Sequence, residues 1–305
     1  MMVVDLFCGM GGLSYGFSHE GFKVIGFDKS EYAVLSFNLN KIGKGLQKDL
    51  LLPMKKLEDK DQMIIIGGPP CEPWSRLNVQ KKFSAHPLHK CVLRFYKIVF
   101  RERPILFIME NVPDILKDTM IHKILKKAKT LYSLAHKSIR YSDYGAATSR
   151  KRLFIIGVKK GYGVRAENIF DRIPLGKSKS VKDAIWDLRR IGWNREIDHI
   201  WPRVRTIKKY LKYYRLGKYG WYILRWDRPS PSFGNITKTY ILHPDSFNGG
   251  EMRPISVRET LRIMGFPDKY KFPKNIPLYA KYEMVADAVS PVFSLKLARV
   301  IKKLF

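Results

Sequence analysis

The chain is short of acids. Its 305 residues carry 27 Asp and Glu against 57 Lys and Arg, a formal net charge of +30, far more than solubility requires. Cysteine is scarce as well: Cys8, Cys71 and Cys91 make an odd three with no paired C-x-x-C spacing. That count argues against a disulfide framework and a zinc cluster, and for a reducing compartment. No apolar run reaches the roughly 18 residues that a membrane-spanning helix needs. The opening Met1-Met2-Val3-Val4-Asp5 lacks the basic and apolar regions of a secretory signal. Internal repeats, heptads and low-complexity segments are missing too. The expectation is a cytoplasmic, monomeric protein with no membrane span and no metal.

What is present points to a polyanionic partner, and nucleic acid is the first candidate for so basic a chain. Heat-adapted proteins are also rich in Lys, but they usually match it with Glu, which is scarce here. The length suits one large domain with a small one, or two ordinary domains.

The first half alternates strand and helix signals. Val3 to Phe7 reads as a strand, followed by Cys8-Gly9-Met10-Gly11-Gly12 and a helix from Leu13 to His19. Such glycines let the backbone approach a ligand at a helix N-terminus. The dinucleotide fingerprint fails, because Ser14 stands where its third glycine belongs. The strand from Lys23 to Phe27 ends at Asp28, a position from which a carboxylate can hold both ribose hydroxyls. Asp49, after the next strand, offers a second carboxylate toward an adenine amine. An adenosine-containing cofactor fits this pattern.

Met63 to Ile66 then runs into Gly67-Gly68-Pro69-Pro70-Cys71-Glu72-Pro73-Trp74-Ser75. Glycine and proline end a central strand abruptly, so Cys71 sits at a strand's carboxyl end, where open α/β sheets bind ligands. The two prolines fix φ and hold the thiol on stiff backbone. A cysteine by itself is more often a small buried hydrophobe. A helix follows from His86 to Arg101, with a stripe of Cys91, Val92, Phe95, Ile98 and Val99. The strand from Pro104 to Met109 ends in Glu110-Asn111-Val112, again a carboxylate at a strand's end. A helix from Asp114 to Leu131, a strand near Lys137 to Tyr141, the segment Tyr144 to Arg152 and a strand from Leu153 to Val158 complete the series. The fold class is α/β, a doubly wound, Rossmann-like sheet.

Composition then shifts. From Arg189 to Arg228 there are twelve Lys or Arg, three acids and nine Trp or Tyr. Basic residues can neutralise phosphates while Arg, Trp and Tyr reach or stack on bases, although such a run is usually a solvated face. Arg228-Pro229-Ser230-Pro231-Ser232 and Asn248-Gly249-Gly250 read as loops. Ser290-Pro291 reads as the N-cap and first turn of a last helix whose buried stripe is Val292, Leu295, Ala298 and Ile301.

Together these residues resemble the cytosine-5 DNA methyltransferase family over nearly the whole chain. Asp5 to Gly12 is similar to its first motif, Gly68 to Ser75 to its nucleophile motif, Glu110-Asn111-Val112 to its Glu-Asn-Val motif, and Arg150-Lys151-Arg152 to its Arg-x-Arg element. Arg253 to Pro267 is similar to its ninth motif. The resemblance implies S-adenosylmethionine as methyl donor and double-stranded DNA as partner. It implies that the Cys71 thiolate adds to cytosine carbon 6, that a protonated Glu110 supports ring N3, and that Arg152 contacts O2 with Arg150 as a second electrostatic support. It maps Phe7, Gly9, Gly11, Asp28, Asp49 and Pro70 onto the cofactor pocket. The target base would be flipped out of the duplex. The implied division is 1–188 for catalysis and cofactor binding, 189–268 for target recognition, and 269–305 for a hinge and a helix returning to the large domain.

Four departures stand out: Glu72 and Thr148 each replace a glutamine, Leu88-His89 replaces an Arg-Gly pair, and Asp287 replaces an asparagine. Two other functions stay open. One is tRNA cytosine-5 methylation, against which stands the missing Cys-Phe-Thr signature; the other is an inactive nucleic-acid-binding accessory subunit, which the departures would suit.

Overall fold

The computed structural model describes residues 1–57, 62–75, 83–217, 220–238, 240–247 and 249–305; Asn248 of the expected loop lies outside them. Two compact units emerge. The first comprises 1–139, 151–174 and 294–305, and the second 140–150 and 175–293.

The first unit holds a seven-stranded sheet. Its elements in order are β1 (Met2–Leu6), α1 (Gly12–His19), β2 (Lys23–Asp28), α2 (Glu31–Leu39), β3 (Lys44–Gln47), β4 (Met63–Gly67), α3 (His89–Glu102), β5 (Leu106–Asn111), α4 (Thr119–Leu131), β6 (Tyr132–Arg140), β7 (Lys151–Lys159) and α5 (Ala166–Arg172). The spatial order is β3-β2-β1-β4-β5-β7-β6. β3, β2, β1, β4 and β5 run parallel, and β7 is antiparallel to β5. This is the doubly wound sheet the sequence alternation predicts. Every residue of β4 and β5 is buried, as central strands covered on both faces must be. Val92, Phe95, Ile98 and Val99 of the α3 stripe, with Tyr96 added, pack into the cluster that contains Val4, Ile65, Phe107 and Ile155.

Two expectations need correction. The helix expected from Asp114 is broken: Pro113–Lys117 is a tight 3-10 turn, and Asp118 is extended (φ −84°, ψ 119°) before α4 starts. Its carboxylate caps Met120 instead of continuing the helix. The C-terminal helix, Pro291–Leu304, buries Phe293, Leu297, Ala298 and Ile301, while Val292 and Leu295 are only half buried. Nor does Ser290 cap it, since its hydroxyl is buried without a hydrogen-bond partner among the described residues.

That helix fixes α1. Gly16 N–H donates to the Ser294 hydroxyl at 3.0 Å, and the hydroxyl donates to the Leu13 carbonyl. A Cβ on Gly16 would lie 2.2 Å from the Ser294 carbonyl carbon, so glycine is required for the close approach.

The second unit is made of short elements: α6 (Val181–Ile185), α7 (Leu211–Leu216), a parallel pair β8 (Tyr222–Ile223) and β9 (Ile241–Leu242), α8 (Val257–Met264) and α9 (Leu278–Asp287). Part of the basic aromatic stretch is its core: Tyr210 and Trp221 pack against Ile207, Tyr214 and Leu242. The segment Arg253 to Pro267 is a scaffold. Arg253 grips Glu259 through two bonds of 2.8 and 2.7 Å, and Ser256 and Glu259 form a capping box on α8. Although burial works the other way, that grip holds the Glu259 carboxyl down at about 2.

Candidate active site

The strand order reverses at β1, whose neighbours are β2 on one side and β4 on the other. Leu6 is in register with Gly67, so the segments leaving these two strands emerge side by side at the carboxyl edge. From β1 comes the glycine turn. Phe7 (φ 64°), Gly9 (φ 52°) and Gly11 (φ 89°) are all left-handed, and Phe7 holds that strained conformation despite its side chain. Asp28 fastens the turn, accepting the Gly9 N–H at 2.9 Å on one oxygen and the Ser30 N–H at 2.9 Å on the other. Burial raises the Asp28 carboxyl above its ordinary value even with these bonds in place.

The turn is closed behind and open in front. A Cβ on Gly11 would lie 2.5 Å from Ile42 Cδ1, whereas one on Gly9 would meet nothing within 4 Å. A strained aromatic, an open glycine and a carboxylate at the next strand's end form a cradle suited to an adenosine cofactor. Asp49 is exposed and accepts the Leu51 N–H at 2.9 Å, and Pro70 is half buried on the neighbouring loop.

From β4 comes the loop that carries Cys71. Cys71 is half buried and opens a single 3-10 turn, Glu72–Trp74, with the Trp74 N–H on its carbonyl at 3.0 Å. Asn111 ties this loop to β5 by donating its amide to the Pro69 carbonyl at 3.0 Å. Glu110 is buried, and its carboxylate lies so near Gly68 that a Cβ there would stand 2.9 Å from Oε2.

Register brings in Arg152. β5 and β7 pair Glu110 with Phe154, so Arg152 occupies the diagonal position on the same face. Its Nε is 3.2 Å from Glu110 Oε1. The two side chains form an ion pair that is nearly buried on both sides. Cys71's loop, Glu110 and Arg152 thus converge within the first unit. Arg150 is in the second: it is buried there and donates to the Phe233 carbonyl at 3.3 Å. Thr148, also buried, bonds the Ser230 carbonyl at 3.2 Å. Two contributors escaped the sequence reading. Asn111 and Gly68 stand inside the quoted motifs, but only the register of β4 with β5 shows what they do.

An open sheet with a thiol, a carboxylate and a guanidinium beside a strained glycine turn defines a Rossmann-like α/β fold of the kind that holds its ligands at the strands' carboxyl edge. Residues 1–303 match the family model for C-5 cytosine-specific DNA methylase, and the chain belongs to that family. Its enzyme class is DNA (cytosine-5)-methyltransferase. Among its relatives, the type II methyltransferase M.MthTI of Methanothermobacter thermautotrophicus is 30% identical, covering 99% of this chain and 97% of its own. The type II methyltransferase M.FnuDI of Fusobacterium nucleatum is 28% identical, with 99% and 94% covered. In fold the chain is similar to the S. pombe Dnmt2 methyltransferase, with a TM-score of 0.73 at 17% identity, covering 100% of this chain and 99% of that one.

Proposed function

We propose that this chain methylates carbon 5 of a cytosine flipped out of duplex DNA at a specific short sequence, through a transient covalent bond from Cys71, as the modification enzyme of a restriction-modification system. One observation carries it: Glu110, paired with Arg152 at 3.2 Å, lies against the same Gly68-Pro69 backbone that presents Cys71. The type II names of the relatives support the biological setting.

S-adenosylmethionine supplies the methyl group when bound, and Phe7, Gly9, Gly11, Asp28, Asp49 and Pro70 are the residues that would hold it. The Cys71 thiolate forms a bond to cytosine carbon 6, and the displaced electron pair makes carbon 5 nucleophilic. Glu110, taking up a proton as the base enters, supports ring N3. Arg152 turns from the carboxylate to O2 and disperses the negative charge that develops. Arg150 is carried over from the resemblance as a second electrostatic support. After carbon 5 has gained its methyl group it loses its proton to a base, and the bond to sulfur breaks. The basic surface offsets the few kcal/mol that unstacking the target costs.

Duplex DNA carrying 5-fluorocytosine tests this, because fluorine cannot leave as a proton does and the adduct is trapped. A stable adduct is expected with wild-type protein and cofactor, and none with Cys71→Ala. Bisulfite sequencing of treated mixed-sequence duplex would locate the methylated site. Absence of both adduct and methylation, or methylation of tRNA in place of duplex DNA, overturns the reading.

A further inference from the structure

Trp74, three residues after Cys71, and His89, the first residue of α3, meet on one atom. Trp74 Nε1 donates to Asp118 Oδ2 at 3.0 Å, and His89 Nε2 lies 2.9 Å from the same oxygen. The other carboxylate oxygen accepts the Met120 N–H at 2.9 Å. A carboxylate carries no proton, so the His89 nitrogen facing it must be the N–H tautomer. Trp74 (3% exposed), His89 (5%) and Asp118 (5%) are buried together, and the indole and imidazole rings lie 5.4 Å apart. Burial alone would raise the Asp118 carboxyl, but the bonds from Trp74, Met120 and His89 bring it below its ordinary value.

This cluster joins three elements that meet the chemistry from different sides: the turn that begins at Cys71, the start of α3, and the start of α4, eight residues after Glu110. Packing alone requires neither an indole N–H nor an imidazole; Phe and Leu would fill the space. His89 also stands where the resemblance leads one to expect glycine, which has no side chain to reach Asp118. The clamp is therefore written in this chain's own residues.

Building on the proposed covalent reaction, we infer that Asp118 and His89 are positioning residues: they clamp Trp74, at the end of the turn that Cys71 opens, to the starts of α3 and α4 and so hold Cys71 at its attacking position. The test uses the full chain and three variants. His89→Leu removes the donor, His89→Gln keeps one at similar reach, and Asp118→Asn removes the charge.

Two readouts are taken alongside thermal unfolding and cofactor affinity: the rate of adduct formation on 5-fluorocytosine duplex, and the rate of Cys71 alkylation by iodoacetamide. His89→Leu and Asp118→Asn are expected to slow the adduct about tenfold or more, as small misplacements of reacting groups do. They are also expected to alter the alkylation rate several-fold, with cofactor affinity within about twofold of wild type. His89→Gln should recover most of both rates. Rates within twofold of wild type in His89→Leu overturn the clamp, as does His89→Gln behaving like His89→Leu. If wild type forms no adduct, the proposed reaction fails, and the alkylation series alone decides the clamp. Should His89→Leu fail to fold, the same comparison is made between Asp118→Asn and His89→Gln.

Discussion

Asp5 sits in the middle of β1, where it takes the Ser14 hydroxyl at 2.6 Å on one oxygen and leaves the other buried with no hydrogen-bond partner among the described residues. Burial, opposed by that bond and helped by nearby Asp28, pushes its carboxyl up to about 7. The folded chain therefore keeps this proton far longer than the unfolded one, whose carboxyl titrates near 4. The stability Asp5 contributes is complete below about pH 4 and is lost as pH rises through 7. Asp5→Asn keeps an acceptor for Ser14 and removes the titration. Thermal unfolding should find it equal to wild type below about pH 4 and a few degrees more stable at pH 8. At this scale the candidate site was unevenly legible. Cys71, Glu110 and Asp28 were readable because glycine, proline and charge mark strand ends. Gly68, Asn111 and His89 were not, because what each does depends on which strand or loop lies beside it.

At the scale of elements, α1 is the rigid arm behind the glycine turn, and its position rests on the approach of Gly16 to Ser294. Gly16→Ala places a methyl group 2.2 Å from a backbone carbonyl carbon that has no rotamer to yield. The expected cost is about 2 kcal/mol or more. Calorimetry should show a melting temperature lowered by several degrees, and titration a weaker cofactor affinity as the turn shifts. β1, β2, β4, β5 and β7 were legible to within two or three residues, because runs of β-branched residues between breakers have few other folds, whereas β6 begins well before Lys137 and the two-residue β8 and β9 carry no such run. The break at Asp118 was hidden. Helical periodicity runs straight through it, and what stops the helix is a tryptophan and a histidine distant in sequence. The C-terminal stripe was half right for a related reason: Ala298 and Ile301 are buried as expected, Val292 and Leu295 only partly. Val292 and Phe293 are both apolar, and a pattern cannot say which of two apolar neighbours faces inward.

At the scale of the molecule, a formal charge of +30 dominates how the chain meets a polyanion. Duplex affinity should fall by about a hundredfold or more between 50 and 200 mM salt, while cofactor affinity changes little; fluorescence anisotropy against ionic strength measures the first and titration the second. The basic stretch was legible as charge but not as architecture, since Tyr210 and Trp221 turn inward to a core that composition does not reveal. The partition of the chain has a further meaning in time. The second unit is enclosed in the sequence, whereas the first is assembled from three segments, the last of which is 294–305. During synthesis the usual rule is that what emerges first folds first. Here the rule inverts for one element: the Cys71 loop and the glycine turn are made early, yet α1 has no Ser294 to rest on until segment 294–305 has been made. The second unit can settle first, and the arm behind the glycine turn waits for a segment made more than 270 residues later.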